Sequence, residues 1–289
     1  MSKLFSFRSM QQSRKWALVL AYFFLVVFII FYLFPPYYML VTSFKTNEEI
    51  ASLKGIPLII NQKPTLFHYI DLFVNTYFLT YFKNTVIVTL CSVVISMSIS
   101  ILAAYSLARM RFLGSSVLAT GVFLTYLVPD TLLFIPLFKV IGGLGLLNSK
   151  WSLVLVFPTL AVPFCTWIMI GYFGSIPKEL DEAALIDGAN WYQMLLRIFI
   201  PVAMPGIIAA TIFAFTVSWA GFLYPLAFIY SNEEMVLTVG TVTTLIRGDV
   251  YYWGELMAGA LMAAAPPVIL YAFLMDYYIS GLTAGAVKD

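Results

Sequence analysis

Charge is scarce in this sequence. Asp, Glu, Lys and Arg make up 10% of its 289 residues, where a soluble domain carries about 25%. The imbalance is small too, a formal net charge of +2, so no nucleic-acid partner is expected. Histidine occurs once, as His68 in a polar stretch read as loop, which excludes a paired-histidine metal site and a Cys/His nucleophile pair. The two cysteines, Cys91 and Cys165, each lie in an apolar run and read as small hydrophobes in helices. No Gly-x-x-x-x-Gly-Lys-[Ser/Thr] run occurs, so the chain has no loop of that kind to cradle nucleotide phosphates. These gaps leave an intramembrane enzyme without a nucleophile–base pair or a metal cluster.

What is abundant is apolar surface: 62% of residues are hydrophobic, 17% aromatic, and the mean hydropathy is +0.93. That balance excludes a water-soluble globule, a disordered chain and a collagen-like one. A helix needs about 20 mostly apolar residues to cross the hydrocarbon core. Six segments meet that length, at 16–42, 84–108, 117–141, 152–173, 201–229 and 256–278. Arg14-Lys15 ahead of the first raise the question of a cleaved signal peptide. Its apolar stretch exceeds a signal core and no small-x-small cleavage site follows, so a retained helix is expected.

Six spans place both termini on one side. With the N-terminus inside, the inner segments 1–15, 109–116, 174–200 and 279–289 hold Lys3, Arg8, Arg14, Lys15, Arg109, Arg111, Lys178, Arg197 and Lys288. Four of these precede the first helix, so both termini are expected in the cytoplasm. The organisation read from sequence is a cytoplasmic N-terminus (1–15), a first transmembrane helix (16–42), an extracytoplasmic loop (43–83), a core of five transmembrane helices (84–278) and a cytoplasmic tail (279–289). A second outer loop is expected at 230–255, and no internal repeat is evident. Pro129 and Pro136, Pro158 and Pro163, Pro205 and Pro225, and the pair Pro266-Pro267 interrupt four of the six spans. Each removes a backbone donor at membrane depth, which is tolerated where protein or a water-filled cavity satisfies the freed groups. A bundle around a cavity is expected.

The inner segment 174–200 is the most informative. It spells two short helices joined by a glycine turn: Ser175 as a candidate N-cap, Pro177 and Glu179 in a first turn, Glu182-Ala183-Ala184 continuing, and Asp187-Gly188 ending it. Asn190 and Gln193 resemble a capping box for a second helix, whose Trp191, Leu195, Ile198 and Phe199 share one face at helical spacing. Pattern alone fits both an amphipathic hairpin on the membrane surface and a docking element for a cytosolic partner.

The run Glu182-Ala183-Ala184, with Gly188 four residues on and Ile198 and Pro201 beyond, matches at every signature position the EAA loop of ABC importer permeases, which the chain resembles. More of it resembles the carbohydrate-uptake branch of the maltose-transporter (MalG-like) type. The carriers are Lys83-Asn84-Thr85, Ala103–Arg109 with Phe112 and Gly114, Pro129, Ile135-Pro136-Leu137, Gly143–Asn148 and Gly281–Lys288. The likeness runs from about residue 18 to the end. One departure stands out. Where that family has Trp-Asn, then an acidic residue and an aromatic, this chain reads Trp219-Ala220-Gly221-Phe222, so no sugar contact is carried over there.

The resemblance implies an all-α polytopic membrane fold: a type I ABC importer permease core with six transmembrane helices and a cytoplasmic helix-turn-helix. It implies a second homologous permease, two ATPase subunits, an extracytoplasmic solute-binding protein and the lipid bilayer as partners. No cofactor is expected on this chain; ATP and Mg would be used by the partner ATPase. Glu182 would anchor the lever in the ATPase, Ala183 and Ala184 would permit close approach, and Gly188 would set the angle of the turn, with Asp187 beside it in the docking set. Ile198 and Pro201 complete the motif, and Thr283, Gly285 and Lys288 would reach the ATPase pair. For the translocation path, Asp130 is the ionisable residue placed near mid-membrane, either lining the path or capping a half-helix resuming at Thr131. Thr216, Trp219, Phe222 and Tyr224 offer hydroxyls and aromatic faces suited to sugar rings, or to packing. Rival readings are an ion-coupled secondary transporter and an ABC permease for glycerol phosphate, a polyamine or an acidic glycan.

Overall fold

The computed structural model describes residues 2–52, 56–110, 112–247 and 250–284. Among these the fold is all-α apart from a two-residue hairpin, Ile246–Arg247 paired with Val250–Tyr251. The helices in chain order are α1 (Ser2–Ser43), α2 (Asn47–Ala51), α3 (Phe67–Val74), α4 (Phe78–Arg109), α5 (Ser115–Tyr126), α6 (Asp130–Gly143) and α7 (Lys150–Ser175). They continue with α8 (Glu179–Ile186), α9 (Trp191–Met194), a π-turn (Leu195–Phe199), α10 (Ile200–Val202), α11 (Met204–Trp219), α12 (Leu223–Phe228), α13 (Leu237–Leu245) and α14 (Trp253–Ala284).

Among the described residues, five stretches are long and apolar enough to cross a membrane: Arg14–Ser43, Phe78–Arg109, Lys150–Ser175, Met204–Phe228 and Trp253–Met275. The remaining expected span, 117–141, is not one straight helix. Its halves α5 and α6 meet at 96°, because Pro129 lacks a donor and drives the residue before it out of helical backbone. Pro129 itself occupies the N-cap position of α6, in extended backbone, and Asp130 is the first helical residue with no capping hydrogen bond. The capping role considered for the Asp130 side chain is therefore corrected: its carboxylate is exposed.

The apolar windows also underestimate the helices. Helical backbone runs through 2–15 and on to Ala284, and α2, α3 and α13 form inside segments read as loops. A hydrophobicity window measures bilayer thickness, whereas hydrogen bonding carries a helix past the bilayer. The fifth span breaks at 220–222. A Cβ on Gly221 would lie 2.5 Å from the Phe157 ring, so the small pair Ala220-Gly221 is where that ring passes the backbone.

The chain forms two compact units. The first comprises Met1–Val74 and Gly248–Leu261. Residues 14–38 of α1 expose their side chains throughout, as on a helix facing lipid. The polar segment after α1 is internally wired. Thr46 caps α2 by accepting from the Glu49 amide, and the Glu49 carboxylate accepts from the Asn61 and Gln62 amides and from Asn61 Nδ2. Burial raises the pKa of Glu49, but these donors and the nearby Lys45 outweigh it and hold the carboxyl below its usual range. His68 is not a loop residue: it lies in α3 and is fully buried, with Leu72 one turn on.

The second unit comprises Asn75–Arg247 and Met262–Asp289. Its core lies between α4, α7 and α11, where Tyr105, Cys165, Met169, Phe173, Leu195, Phe199, Ala210 and Ala214 are buried together. Thr85, Thr89, Ser92, Ser96 and Ser100 recur at three- and four-residue spacing along α4 and are all buried. Small side chains at this spacing let membrane helices approach closely.

Candidate functional site

The helix-turn-helix at 176–202 is built by local hydrogen bonds. Helix α8 ends in a Schellman arrangement: the Gly188 amide donates to Leu185 O and the Ala189 amide to Ala184 O, with Gly188 at φ +77°. The next helix starts at the expected capping box, Gln193 N donating to Asn190 Oδ1 and Asn190 N to Gln193 Oε1. Both ends of the turn are thus fixed by sequence-local geometry, which makes it a stiff elbow. Ser175 needs correction. It is the last residue of α7 and its hydroxyl donates back to Tyr172 O, while the position ahead of α8 belongs to Lys178.

The faces of this elbow differ in part from the sequence reading. Leu195 and Phe199 are buried and Ile198 half-buried, but Trp191 is exposed. The turn from Trp191 to Leu195 is regular α-helix, the Leu195 amide donating to Trp191 O, so Trp191 is exposed by its place at the start of α9, outside the buried cluster that takes Leu195 and Phe199. Ala184 is buried in the chain's own core, so its small size serves packing within the unit. Glu182, Ala183, Asp187, Gly188 and Pro201 are exposed. Beside them stand the exposed apolar side chains of Leu185, Ile186, Trp191 and Tyr192, with Ile186 at 85%.

Arg109, at the end of α4, stands out in the sequence only as a basic residue and as part of a resemblance. Its Nη1 lies 3.2 Å from Asp181 Oδ2, its Nη2 donates to Ile176 O, and its guanidinium carbon stands 4.7 Å from the centre of the Phe199 ring. At the opposite end of α4 lies the motif Asn84-Thr85. Asn84 Nδ2 donates to the carbonyls of Glu233 and Met235 at 2.8 and 2.9 Å. The Leu237 amide donates to Thr85 Oγ1 at 2.7 Å, and the Tyr81 hydroxyl meets Asn232 and Thr244. Glu234 in the same segment caps α7, accepting from the Lys150 amide and ammonium, both at 2.9 Å.

The residues proposed for a path are dispersed. Tyr224 is buried and its hydroxyl donates to Asp130 O at 2.8 Å, tethering α12 to the break between α5 and α6. Trp219 is buried, stacks on Phe215 and donates from Nε1 to Ala263 O at 3.0 Å. Thr216 bonds Ile212 O and the Tyr271 hydroxyl. Phe222 is exposed. A cavity of about 480 Å³ lies beside Phe82, Phe215, Trp219, Pro266 and Phe273, and its exposed wall is apolar, which does not suit sugar hydroxyls. Of the residues expected to reach an ATPase, Thr283 falls in the last turns of α14, and Gly285 and Lys288 lie outside the described residues.

A family model described as the binding-protein-dependent transport system inner membrane component matches residues 96–283. The inner membrane ABC transporter permease protein YcjP of Escherichia coli (strain K12) is 38% identical over 266 residues, 91% of this chain and 94% of that protein. The diacetylchitobiose uptake system permease protein DasC of Streptomyces coelicolor (strain ATCC BAA-471 / A3(2) / M145) is 33% identical over 91% of this chain and 94% of its own. Among solved structures, a bacterial ABC transporter involved in the import of the acidic polysaccharide alginate aligns with a TM-score of 0.79 at 22% identity. It covers 90% of this chain and 95% of that one, a likeness of fold.

Proposed function

The chain belongs to the family of binding-protein-dependent transport system inner membrane components, and from that premise we infer that it is one permease subunit of an importer for a sugar or oligosaccharide. It is a multi-pass membrane protein, and its both-termini-inside orientation is supported by the basic residues ahead of α1. The observation that carries the mechanism is the stiff elbow at 176–202, capped at both ends and presenting Glu182, Ala183, Leu185, Ile186, Trp191 and Tyr192 outward.

A rigid element with an exposed apolar face and an acidic side chain fits a groove on a cytosolic subunit. In this reading two ATPase subunits receive the elbow of this chain and that of a second homologous permease. Closure of the ATPase pair on ATP and Mg tilts the elbows and switches access of the pathway from one side of the membrane to the other. An extracytoplasmic solute-binding protein delivers the substrate. The names of the relatives support a glycan, including diacetylchitobiose and, for a permease of Thermococcus litoralis 32% identical over 89% of this chain, trehalose or maltose.

Purification from native membrane in mild detergent, with subunits identified and ATP hydrolysis assayed, tests this reading. Recovery with a second permease and an ATPase, followed by a glycan-binding partner protein, is expected. Recovery without an ATPase at any stoichiometry would remove the docking role and favour ion-coupled transport. A binding protein selective for glycerol phosphate or a polyamine would replace the substrate class alone.

A further inference from the structure

Helix α4 is 32 residues long, about 48 Å at 1.5 Å per residue, and each of its ends holds a different working part. At one end a single side chain grips three pieces of the elbow. Arg109 pairs with Asp181 on α8, donates to Ile176 O in the connection before it, and covers the ring of Phe199 in the π-turn after it. One turn earlier on α4, Tyr105 meets Phe173 and Phe199 edge to face. At the other end Tyr81, Asn84 and Thr85 bind Asn232, Thr244, Glu233, Met235 and Leu237 by side-chain hydrogen bonds, so the 231–245 segment is fastened to the same rod.

The choice of arginine is chemically specific. A planar guanidinium can pair with a carboxylate, donate to a carbonyl and lie on an aromatic face at once, whereas lysine offers one compact charge. The Arg109 side chain is only 7% exposed, so its pair with Asp181 is less screened than a surface ion pair. Because the three contacts fall on separate pieces of the elbow, a tilt of α8 or the π-turn independent of the end of α4 would break at least one of them.

We propose that Arg109 is the positioning residue that couples the elbow to the membrane core. It passes a tilt of α8 and the π-turn to α4 as one body, and α4 carries it to the 231–245 segment. The proposal rests on the reading of the elbow as the ATPase-docking element.

The test uses the complete complex, with Tyr230→Cys as a reporter in a Cys91→Ser, Cys165→Ala background. Tyr230 is 75% exposed and adjoins the 231–245 segment. The rate of thiol labelling at position 230 is measured without nucleotide and with a non-hydrolysable ATP analogue, beside ATP hydrolysis by the same preparation. With Arg109 present the analogue should change the labelling rate by about fivefold or more. Arg109→Ala should abolish that change while hydrolysis per assembled complex stays within about twofold, and Arg109→Lys should restore only part of it. An Arg109→Ala complex that responds fully overturns the proposal, as does full rescue by Arg109→Lys. If Arg109→Ala fails to assemble, Asp181→Asn, which leaves the Ile176 and Phe199 contacts, should still weaken the response; an undiminished response overturns the proposal. A complex with Arg109 that hydrolyses no ATP would instead remove the docking reading on which the proposal stands.

Discussion

Glu255 Oε1 lies 3.0 Å from His68 Nδ1, and on the far side of the ring Nε2 lies 2.7 Å from the Lys45 carbonyl oxygen. Both ring nitrogens face acceptors, which a neutral imidazole with one N–H cannot satisfy. Gly254 leaves room for the ring, since a Cβ there would fall 2.2 Å from it. Burial disfavours the charged ring, but the hydrogen bond to Glu255, the bond to Lys45 O and the charges of Glu255 and Asp71 outweigh it, so the pKa of His68 is raised. The pair joins α3 to the start of α14 inside one unit.

Its pH dependence follows from that sign. A raised folded-state pKa gives stabilisation that is complete below the ordinary histidine value of about 6.5 and is lost as pH rises through the folded value. The thermal midpoint in detergent should therefore fall from about pH 6 to about pH 9. His68→Gln should start lower and vary less, and Glu255→Gln should cost about 3 kcal/mol by leaving a buried cation unpaired. Parallel curves for His68→Gln and the unaltered chain would mean that the pair contributes nothing.

Gly188 is conformationally required and sterically free, with φ +77° and no atom within 4 Å of a built Cβ. Any cost of substitution is therefore backbone strain, about 1–2 kcal/mol for alanine. Gly188→Asp should insert normally yet lose uptake, whereas Gly188→Asn, of the same size and equally at home in this backbone region but without the added charge, should retain more. Uptake per inserted protein decides it; normal transport by Gly188→Asp would dissociate the elbow's angle from coupling.

Asn84→Ala would strip two hydrogen bonds from the carbonyls of Glu233 and Met235, a loss of about 1–3 kcal/mol. Asn84→Asp should do no better, since an ionised carboxylate accepts only. Limited proteolysis of the 231–245 segment should accelerate in both variants, and an unchanged cleavage rate would show that other contacts hold it.

Gly206 and Gly121 make a matched pair. A Cβ at Gly206 would lie 2.3 Å from the Tyr172 ring, while at Gly121 it would meet nothing within 4 Å. Gly206→Ala should lower stability by about 1–3 kcal/mol through overpacking, and Gly121→Ala should be near neutral. Thermal midpoints in detergent compare them directly; equal midpoints would place the α7–α11 approach elsewhere.

Tyr224 binds the backbone carbonyl of Asp130, not its carboxylate. Tyr224→Phe should therefore cost about 1 kcal/mol, and Asp130→Ala should leave that tether intact. If Asp130→Ala alters the substrate concentration for half-maximal uptake at an unchanged thermal midpoint, the carboxylate faces the path. A lowered midpoint with unchanged uptake assigns it to the fold.

Much of this protein follows from sequence-local physics. Apolar length sets the spans, and Gly188 and the Asn190–Gln193 box set the elbow, because caps and turns depend on residues within one helical turn of each other. Pro129 forces a break for the same reason. What the tertiary structure alone decided lies between distant residues. The burial of His68 depends on Glu255 and Gly254, the grip of Arg109 on Asp181 and Phe199, and the inward turn of Ala184 on a core shared with α4 and α7. Trp191, at the start of α9, likewise stands exposed while Leu195 one turn on is buried, a difference that no periodicity announces. Such partners are set by packing between helices, and a polar or basic residue in a one-dimensional pattern carries no mark of which distant acceptor will take its proton.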